Sequence, residues 1–162
     1  MGVPTLEQMQ RQQAAANLNA YSAELIDDDR LEEWPELFEA QCCYRVISAE
    51  NYSRGLSLAA MFCDSRGMLA DRIVSLRKAN IFPAHNYRHI LGPTRVVSES
   101  HDVITAQTNY TVLMTRNDGQ TTIYNSGKYL DEIVLTGSTP RFRSKIAIFD
   151  THLIDTMMAR PI

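Results

Sequence analysis

The sequence predicts an α+β fold, with helices in its first half and a mostly antiparallel sheet in its second half. Two observations lead to this prediction. Residues 103–155 contain three long segments of strand character separated by two turns. Residues 5–78 contain three segments in which apolar side chains recur every three or four positions. Because 162 residues suffice to bury one core, we expect a single domain over residues 1–162, with residues 1–4 disordered.

The first long strand shows a strict alternation of side chains, and its polar positions fall between the more apolar ones, as expected of a half-buried strand. Its predicted inner face consists of Ala106, Thr108, Tyr110, Val112 and Met114. A turn at Asn117–Gly119 follows, since these residue types tolerate positive φ. The return strand runs from Thr121 to Leu135, and Gly127 within it indicates a bulge or a sharp bend.

The last strand follows a second turn at Thr136–Pro140. Its alternation places Phe142, Ile146 and Ile148 on the core face. The opposite face near its start is predicted to carry Arg141, Arg143 and Lys145. Strands of this length must twist and curl.

Three helices are expected before the sheet. Thr5 and Gln8 form a capping box, and the helix that follows has one apolar stripe: Ala14, Leu18, Tyr21 and Leu25. A second helix begins at Asp29, with a kink or a fresh start at Pro35, and its core residues are Leu31, Trp34, Leu37 and Phe38. Asp64 or Ser65 caps a third helix that ends near Asn80 and Pro83 and whose inner residues are Leu69, Ile73 and Leu76.

Shorter strands separate these helices from the long strands. They are predicted at Cys42–Ile47, at Leu56–Phe62 after a loop at residues 51–55, and at His89–Ser98 with an interruption at Gly92-Pro93. Residues 84–88 are expected to be irregular. A curved sheet of about six strands with three helices on its concave side makes a cone. The nearest architecture is the cystatin-like, nuclear-transport-factor-2-like fold.

The composition argues against several classes of partner. The net charge is −3 without a basic run, so we expect no nucleic acid partner. No apolar stretch reaches membrane-spanning length, so no membrane association is expected. Cys42, Cys43 and Cys63 are odd in number and lack metal-ligand spacing, which favours reduced thiols in the cytoplasm.

The four histidines do not predict a metal site. A Rieske cluster needs two Cys and two His in paired spacing, and no such pairs occur. His85 and His89 are four apart, but Pro83 argues against the helix that would align them on one metal. We therefore predict no cofactor and no metal in this chain.

Two interpretations of the polar and aromatic residues remain open. An Asp or His beside a Tyr in the mouth of a cone could perform acid–base chemistry, and the candidates are Tyr44, Tyr110, Tyr124, Asp64 and His89. The alternative, which we favour, is that the tyrosines fill the core and form hydrogen bonds at its rim.

A second group of residues lies where core and surface meet. Arg72 precedes the core residue Ile73, and Tyr87, Arg88 and His89 precede an apolar strand. Such side chains are either paired internally or met by a partner chain. We expect Arg72, Tyr87, Arg88 and His89 to form part of a subunit interface or to brace the surface that does.

Five segments resemble the small (β) subunits of Rieske non-haem iron aromatic-ring-hydroxylating oxygenases: Trp34–Phe38, Cys43–Val46, Asp64-Ser65, Met68–Ile73 and Tyr87–Gly92. The resemblance extends over about residues 18–161. It is strongest for systems that attack aromatic acids, with hydroxylation of salicylate favoured and dihydroxylation of terephthalate next.

The resemblance implies a non-catalytic, cytoplasmic subunit. Its partner would be a large (α) subunit that carries a Rieske [2Fe–2S] cluster and a mononuclear Fe(II), in an α3β3 assembly. Electrons would come from NADH through a reductase and a ferredoxin. The alternative from the fold alone is a free-standing dehydratase, isomerase or cyclase.

Overall fold

A computed structural model of the protein describes residues 2–78, 85–150 and 158–162. The helices are α1 (Leu6–Asp27), a 3-10 helix (Trp34–Leu37), α2 (Ala49–Ser53) and α3 (Arg66–Lys78). The strands are β1 (Phe38–Ser48), β2 (Met61–Ser65), β3 (His85–Leu91), β4 (Arg95–Ser100), β5 (Val103–Arg116), β6 (Thr121–Val134) and β7 (Arg141–Phe149). The three long strands of the second half are thus confirmed.

The strands form one sheet in the order β2-β1-β7-β6-β5-β3, and β4 pairs with β5 beyond the end of β3. Neighbouring strands are antiparallel except β1 and β7, which are parallel. The α+β class and the mostly antiparallel, curved sheet of the cone fold are confirmed, with seven strands where about six were expected. The parallel pair joins the first strand of the chain to its last.

The helices cover one face of this sheet. α1 packs on β3, β4 and β5, whereas α3 packs on β1, β2 and the 3-10 helix. Between them lies an aromatic core in which the ring of Trp34 meets Phe38 and Tyr44 edge-on, with centroid distances of 4.9 and 5.0 Å. Large buried side chains of this kind each contribute about 1.5–3 kcal/mol of hydrophobic stabilisation.

The capping box at the start of α1 is confirmed, because the Thr5 hydroxyl accepts from the Gln8 amide and the Gln8 side chain accepts from the Thr5 amide. The predicted stripe is wrong at Tyr21, which is exposed. The buried face includes two polar residues instead, Asn19 and Ser22. They can be buried because each has a partner, and the Ser22 hydroxyl accepts from the Trp34 indole at 2.9 Å.

The second α-helix was wrongly predicted. Residues 31–33 form turns and only Trp34–Leu37 is helical, as one short 3-10 helix with Pro35 in its first turn. A proline ring there starts a helix readily, yet it cannot continue one from upstream. The core residues named for this segment were nevertheless right, and Leu31 and Phe38 are fully buried.

Two further boundaries differ from the prediction. The strand expected at Leu56–Phe62 is β2, which begins only at Met61, and the loop expected at residues 51–55 includes most of α2. The side-chain amide of Asn51 donates through Nδ2 to the carbonyl of Leu58 at 3.0 Å, which holds the residues before β2 in a loop.

His85–Arg88, expected to be irregular, belongs to β3, because the long β5 extends far enough to place a residue opposite each member of His85–Leu91. Ser65, rather than Asp64, caps α3, since its hydroxyl accepts from the Met68 amide at 3.3 Å. The predicted inner residues of α3 are confirmed as buried. The end of that helix near Asn80 and Pro83 falls outside the described residues.

A β-bulge changes which side chains of β7 face the core. Phe142 pairs with Ile133 and Ser144 pairs with Glu132, so Arg143 is an extra residue. Beyond the bulge the alternation is reversed, and Lys145 is buried on the same side as Phe142. The predicted outward position of Lys145 is therefore wrong.

Gly127 lies at a close approach of β6 to β7. A Cβ atom built at this position would collide with the backbone carbonyl oxygen of Ile148. The bulge expected here lies three residues earlier, at Tyr124, where β6 has one residue more than β5. Gly127 is thus needed for close approach of two strands.

Candidate functional site

The end of α1 is joined to β3 by one carboxylate. Asp27 Oδ1 lies 2.6 Å from His89 Nδ1, and Asp27 Oδ2 accepts from the His89 amide at 2.8 Å. Arg88 approaches Oδ2 at 3.9 Å from the outside. The side chains of His89 and Asp27 are 0% and 5% exposed, while that of Arg88 is 67% exposed. The two predicted residues, His89 and Arg88, thus contact the same Asp27 carboxylate, one from the buried side and one from the exposed side.

This geometry fixes the imidazole ring. A carboxylate at Nδ1 sets the orientation and tautomer of a histidine, as in catalytic Asp–His pairs. Nε2 is buried and has no hydrogen-bond partner in the part of the chain that is described. Sequence reasoning selected His89 and missed Asp27, the last residue of α1.

The other two predicted residues make separate contacts. Tyr87 is buried, and its ring stacks on Tyr124 with centroids 5.0 Å apart. Burial raises the pKa of the Tyr87 phenol. Arg72 is half-buried on α3, and its Nη2 donates to the carbonyl of Met158 at 3.4 Å. The structure therefore joins Arg88 and His89 through Asp27, while Arg72 and Tyr87 contact other elements.

The residues proposed for acid–base chemistry are not assembled as one site. Tyr44 donates to the Ile162 carbonyl at 2.9 Å and accepts from the Ile162 amide at 3.0 Å. Tyr110 donates to Asn125 Oδ1 at 2.6 Å. Asp64 is exposed on β2. These contacts are those of tyrosines that pack a core and satisfy their hydroxyl groups.

A buried polar cluster inside the cone escaped the sequence analysis. Lys145 Nζ donates to Asn19 Oδ1 at 2.6 Å and lies 3.4 Å from Asp131 Oδ1. Asn19 Nδ2 in turn donates to Asp131 Oδ2 at 2.7 Å, and Lys145 Nζ lies 3.6 Å from the centre of the Tyr129 ring. Burial raises the pKa of Asp131 and lowers that of Lys145, since desolvation disfavours both charged forms.

This cluster fills the interior together with aromatic rings. Tyr129 stacks on Tyr110 at 4.1 Å, and Thr108 exchanges a hydrogen bond of 2.8 Å with Thr94. The signal that could have revealed the cluster was Asn19. This polar residue is spaced three or four positions from apolar residues of α1, which places it on the buried face of the helix. The bulge that turns Lys145 inward leaves no such signal in the sequence.

The described residues contain no group of three His, Cys, Asp or Glu side chains arranged to hold a metal ion. Cys42, Cys43 and Cys63 are free thiols. Burial raises the pKa of Cys42 to about 11, so this thiol stays protonated at neutral pH. Within the same residues, no helix is both long and apolar enough to cross a membrane.

Comparisons with known proteins place these features in a family. A family model described as the ring hydroxylating beta subunit matches residues 21–156. The chain is 40% identical over 137 residues to the anthranilate 1,2-dioxygenase small subunit of Burkholderia cepacia, with 85% of each protein covered. It is 39% identical over 147 residues to the terephthalate 1,2-dioxygenase terminal oxygenase component subunit beta 1 of a Comamonas species, covering 91% of this chain and 96% of the relative.

A solved structure agrees with both relatives. It is a β subunit from Novosphingobium aromaticivorans assigned to the aromatic-ring-hydroxylating dioxygenases, with a TM-score of 0.88 and 47% identity. The match covers 95% of this chain and 98% of that chain. The chain belongs to the β-subunit family of the aromatic-ring-hydroxylating dioxygenases.

Proposed function

We propose that this chain is a structural, non-catalytic subunit whose large partner performs the chemistry on an aromatic acid. The observation that supports this most directly is the match to small subunits of two aromatic-acid dioxygenases over 85% or more of the chain. The packed cone interior adds to it, because Tyr110, Tyr129 and Lys145 occupy the space in which a cone-fold enzyme would bind a substrate. The same observations argue against a free-standing dehydratase, isomerase or cyclase.

The metal centres of the proposed enzyme belong to the large subunit. That subunit would carry the Rieske [2Fe–2S] cluster and the mononuclear Fe(II), and these centres supply electron transfer and oxygen activation. The described residues of this chain do not fit either centre, since they contain no group of three His, Cys, Asp or Glu side chains arranged to hold a metal ion, and burial raises the pKa of all three thiols. We further propose an α3β3 assembly served by a ferredoxin and an NADH-dependent reductase.

The substrate is proposed at the level of an aromatic carboxylic acid. Resemblance of sequence segments favours salicylate, attacked by monooxygenation. The names of the two relatives instead point to terephthalate and anthranilate. All three compounds share a ring that bears a carboxylate. Assays of the purified oxygenase on the three acids distinguish them, and activity on none of the three contradicts the aromatic-acid assignment.

For the four predicted interface residues we propose a division of roles. Tyr87 and His89 brace the inner side of β3, because their side chains are buried against Tyr124 and Asp27. Arg88 has the exposure needed to contact a partner chain. Arg72 ties α3 to the C-terminal segment through Met158.

Co-purification tests the proposed function. The tagged chain is expressed in its own source cells and recovered under mild conditions, and the bound proteins are identified. We expect a larger partner whose absorbance shows an iron–sulfur cluster, in equal molar amount with the tagged chain. Recovery of the chain alone, together with turnover of a hydroxylated or carbonyl substrate by the isolated chain, would instead support the free-standing enzyme.

A further inference from the structure

Three buried hydrogen-bond donors at one end of the cone have no acceptor in the part of the chain that is described. They are Nε of Arg72, Nε of Arg160 and the hydroxyl of Tyr124. Buried donors normally have a partner, so each of these groups needs an explanation. We propose that Arg72, Tyr124 and Arg160, here named the donor cluster, bind a small free carboxylate anion of the size of formate or acetate.

The C-terminal segment brings the two arginines of the donor cluster together. Arg72 Nη2 on α3 donates to the Met158 carbonyl at 3.4 Å. Further along this segment, the Ile162 carbonyl accepts from the Tyr44 hydroxyl at 2.9 Å. Arg160 lies between these two contacts in the chain, so it enters the same end of the cone as Arg72.

Tyr124 joins the donor cluster from β6. Its side chain is 7% exposed, and its ring stacks on Tyr87 with centroids 5.0 Å apart. Two neighbouring phenols have two O–H donors and can satisfy only one of them with each other. Burial raises the pKa of Tyr87, and the positive charge of Arg160 opposes that rise. Arg72 acts in the same direction on Tyr44, so both positive charges lie near these tyrosines.

The charge of the donor cluster favours an anion over water. Arg160 is paired, because its Nη2 lies 3.0 Å from Asp29 Oδ1. Arg72 is half-buried, and no carboxylate among the described residues forms an ion pair with it. A half-buried charge without a counterion is unfavourable. A water molecule would accept hydrogen bonds from the orphan donors, yet it would leave this charge unbalanced.

The donor set and its burial favour a small carboxylate. A carboxylate has about four lone-pair positions on its two oxygen atoms, so it can accept from two guanidinium groups and a phenol together. Hydrogen bonds from arginine to a carboxylate are charge-assisted and stronger than neutral ones. All three donor atoms are shielded from solvent, which argues against a bulky anion.

The test measures binding of isotopically labelled formate to the full-length chain by NMR titration. Tyr124→Phe removes one hydroxyl of the donor cluster, and its matched control is Tyr52→Phe, because Tyr52 is 38% exposed. Arg72→Gln removes the unpaired charge, and its matched control is Arg143→Gln, which changes an exposed residue of β7. Thermal melting of each variant without formate serves as a check of folding.

We expect saturable binding by the unmodified chain and about tenfold weaker binding by both Tyr124→Phe and Arg72→Gln, because each removes a hydrogen bond to a charged group. Both control variants should bind formate as the unmodified chain does. Without formate, Tyr124→Phe should melt at the temperature of the unmodified chain or above it, since the hydroxyl that it removes has no partner.

Absence of saturable binding by the unmodified chain overturns the proposed anion site. Equal weakening by Arg72→Gln and Arg143→Gln overturns it too, because that result indicates general attraction of the anion to surface charge. If Tyr124→Phe melts well below the unmodified chain without formate, its hydroxyl has a structural partner and does not belong to the site. These measurements do not involve the large subunit, so their failure leaves the proposed function unaffected.

Discussion

Asp27 binds two neighbouring residues of β3 through one carboxylate, yet the two residues should contribute unequally to stability. His89→Ala leaves Asp27 Oδ1 buried without its partner at 2.6 Å. We expect the free energy of unfolding to fall by about 1–3 kcal/mol. In a chain of this size that lowers Tm by about 2–4 °C for each kcal/mol. Thermal melting of the isolated chain measures the effect.

Arg88→Ala is the matched control for that change. Its guanidinium is mostly exposed and lies 3.9 Å from the same carboxylate, so its removal should alter the free energy of unfolding by less than about 0.5 kcal/mol. Equal melting temperatures for both variants would contradict the bracing role of His89. If Arg88 contacts a partner chain, its replacement weakens assembly at an unchanged Tm.

The buried Lys145–Asp131 pair makes a second prediction. Lys145→Met leaves the Asp131 carboxylate inside the cone with Asn19 alone, and we expect a loss of about 3–5 kcal/mol. The double variant Lys145→Met, Asp131→Leu removes both charges and should be more stable than Lys145→Met. Urea unfolding of the two single variants and the double variant provides the interaction energy. If the two single losses simply add, the pair is not coupled.

At the scale of single residues, the sequence contains only local signals. His89 and Tyr87 were selected because polar residues at the border of an apolar strand need partners. Asp27 was missed, because a carboxylate 62 residues upstream of His89 acquires its partner only through tertiary packing. Lys145 was assigned to the wrong face, since a bulge at Arg143 shifts the alternation by one residue and depends on the register of two neighbouring strands.

At the scale of secondary structure elements, the contact between β6 and β7 depends on Gly127, which has no side chain. Gly127→Ala would place a methyl group against the Ile148 backbone, which cannot move aside as a flexible side chain would. We expect a loss of about 1–3 kcal/mol or more from the overpacking. Gly67→Ala in α3 is the contrasting variant, because the added Cβ would meet only Ser65 Oγ, at a distance of 4.0 Å.

Gly67→Ala should stabilise the chain by less than the roughly 1 kcal/mol of a mid-helix position, since alanine is the better helix residue but Gly67 lies in the first turn of α3. Urea midpoints of the two variants should therefore move in opposite directions. A Gly127→Ala variant as stable as the unmodified chain would show that the two strands separate without cost.

Helices were predicted less well than strands for a physical reason. The spacing of Leu31, Trp34 and Leu37 fits a helix, and these residues are indeed buried. The backbone between them turns instead, because Pro35 limits helix growth and Phe38 already belongs to β1. Side-chain spacing thus predicts which residues are buried. The backbone conformation that buries them depends on the neighbouring elements.

For the whole molecule, we expect the folded state to lose stability at high pH because of four buried tyrosines. Burial raises the pKa of Tyr44, Tyr87, Tyr110 and Tyr129 above the ordinary value of 10.0. Above pH 10 the unfolded chain therefore loses protons that the folded chain retains, so the free energy of unfolding falls as the pH rises. Below pH 10 the same groups stay protonated in both states and have no such effect.

Absorbance of tyrosinate and circular dichroism, followed together against pH, check this prediction. Four of the seven tyrosines should ionise only together with the loss of secondary structure. Ionisation of all seven while the circular dichroism of the folded state persists would contradict it.

The fold class was predictable from the whole chain because the strand and helix patterns occupy separate halves of the sequence. The order of the strands was not. The parallel pairing of β1 with β7 joins segments whose side-chain patterns carry no information about each other.

That pairing also sets the order of events during synthesis. β1 leaves the ribosome long before β7 exists, and at usual rates of translation the interval is roughly 5–20 s. Throughout this time the edge of β1 that β7 will cover has unpaired amide and carbonyl groups, which invite wrong pairing. A nascent chain that stops short of Arg141–Phe149 can pair β1 only with β2. The final strand thus completes the sheet, and until it is made the growing polypeptide has an open sheet edge of the kind that favours aggregation.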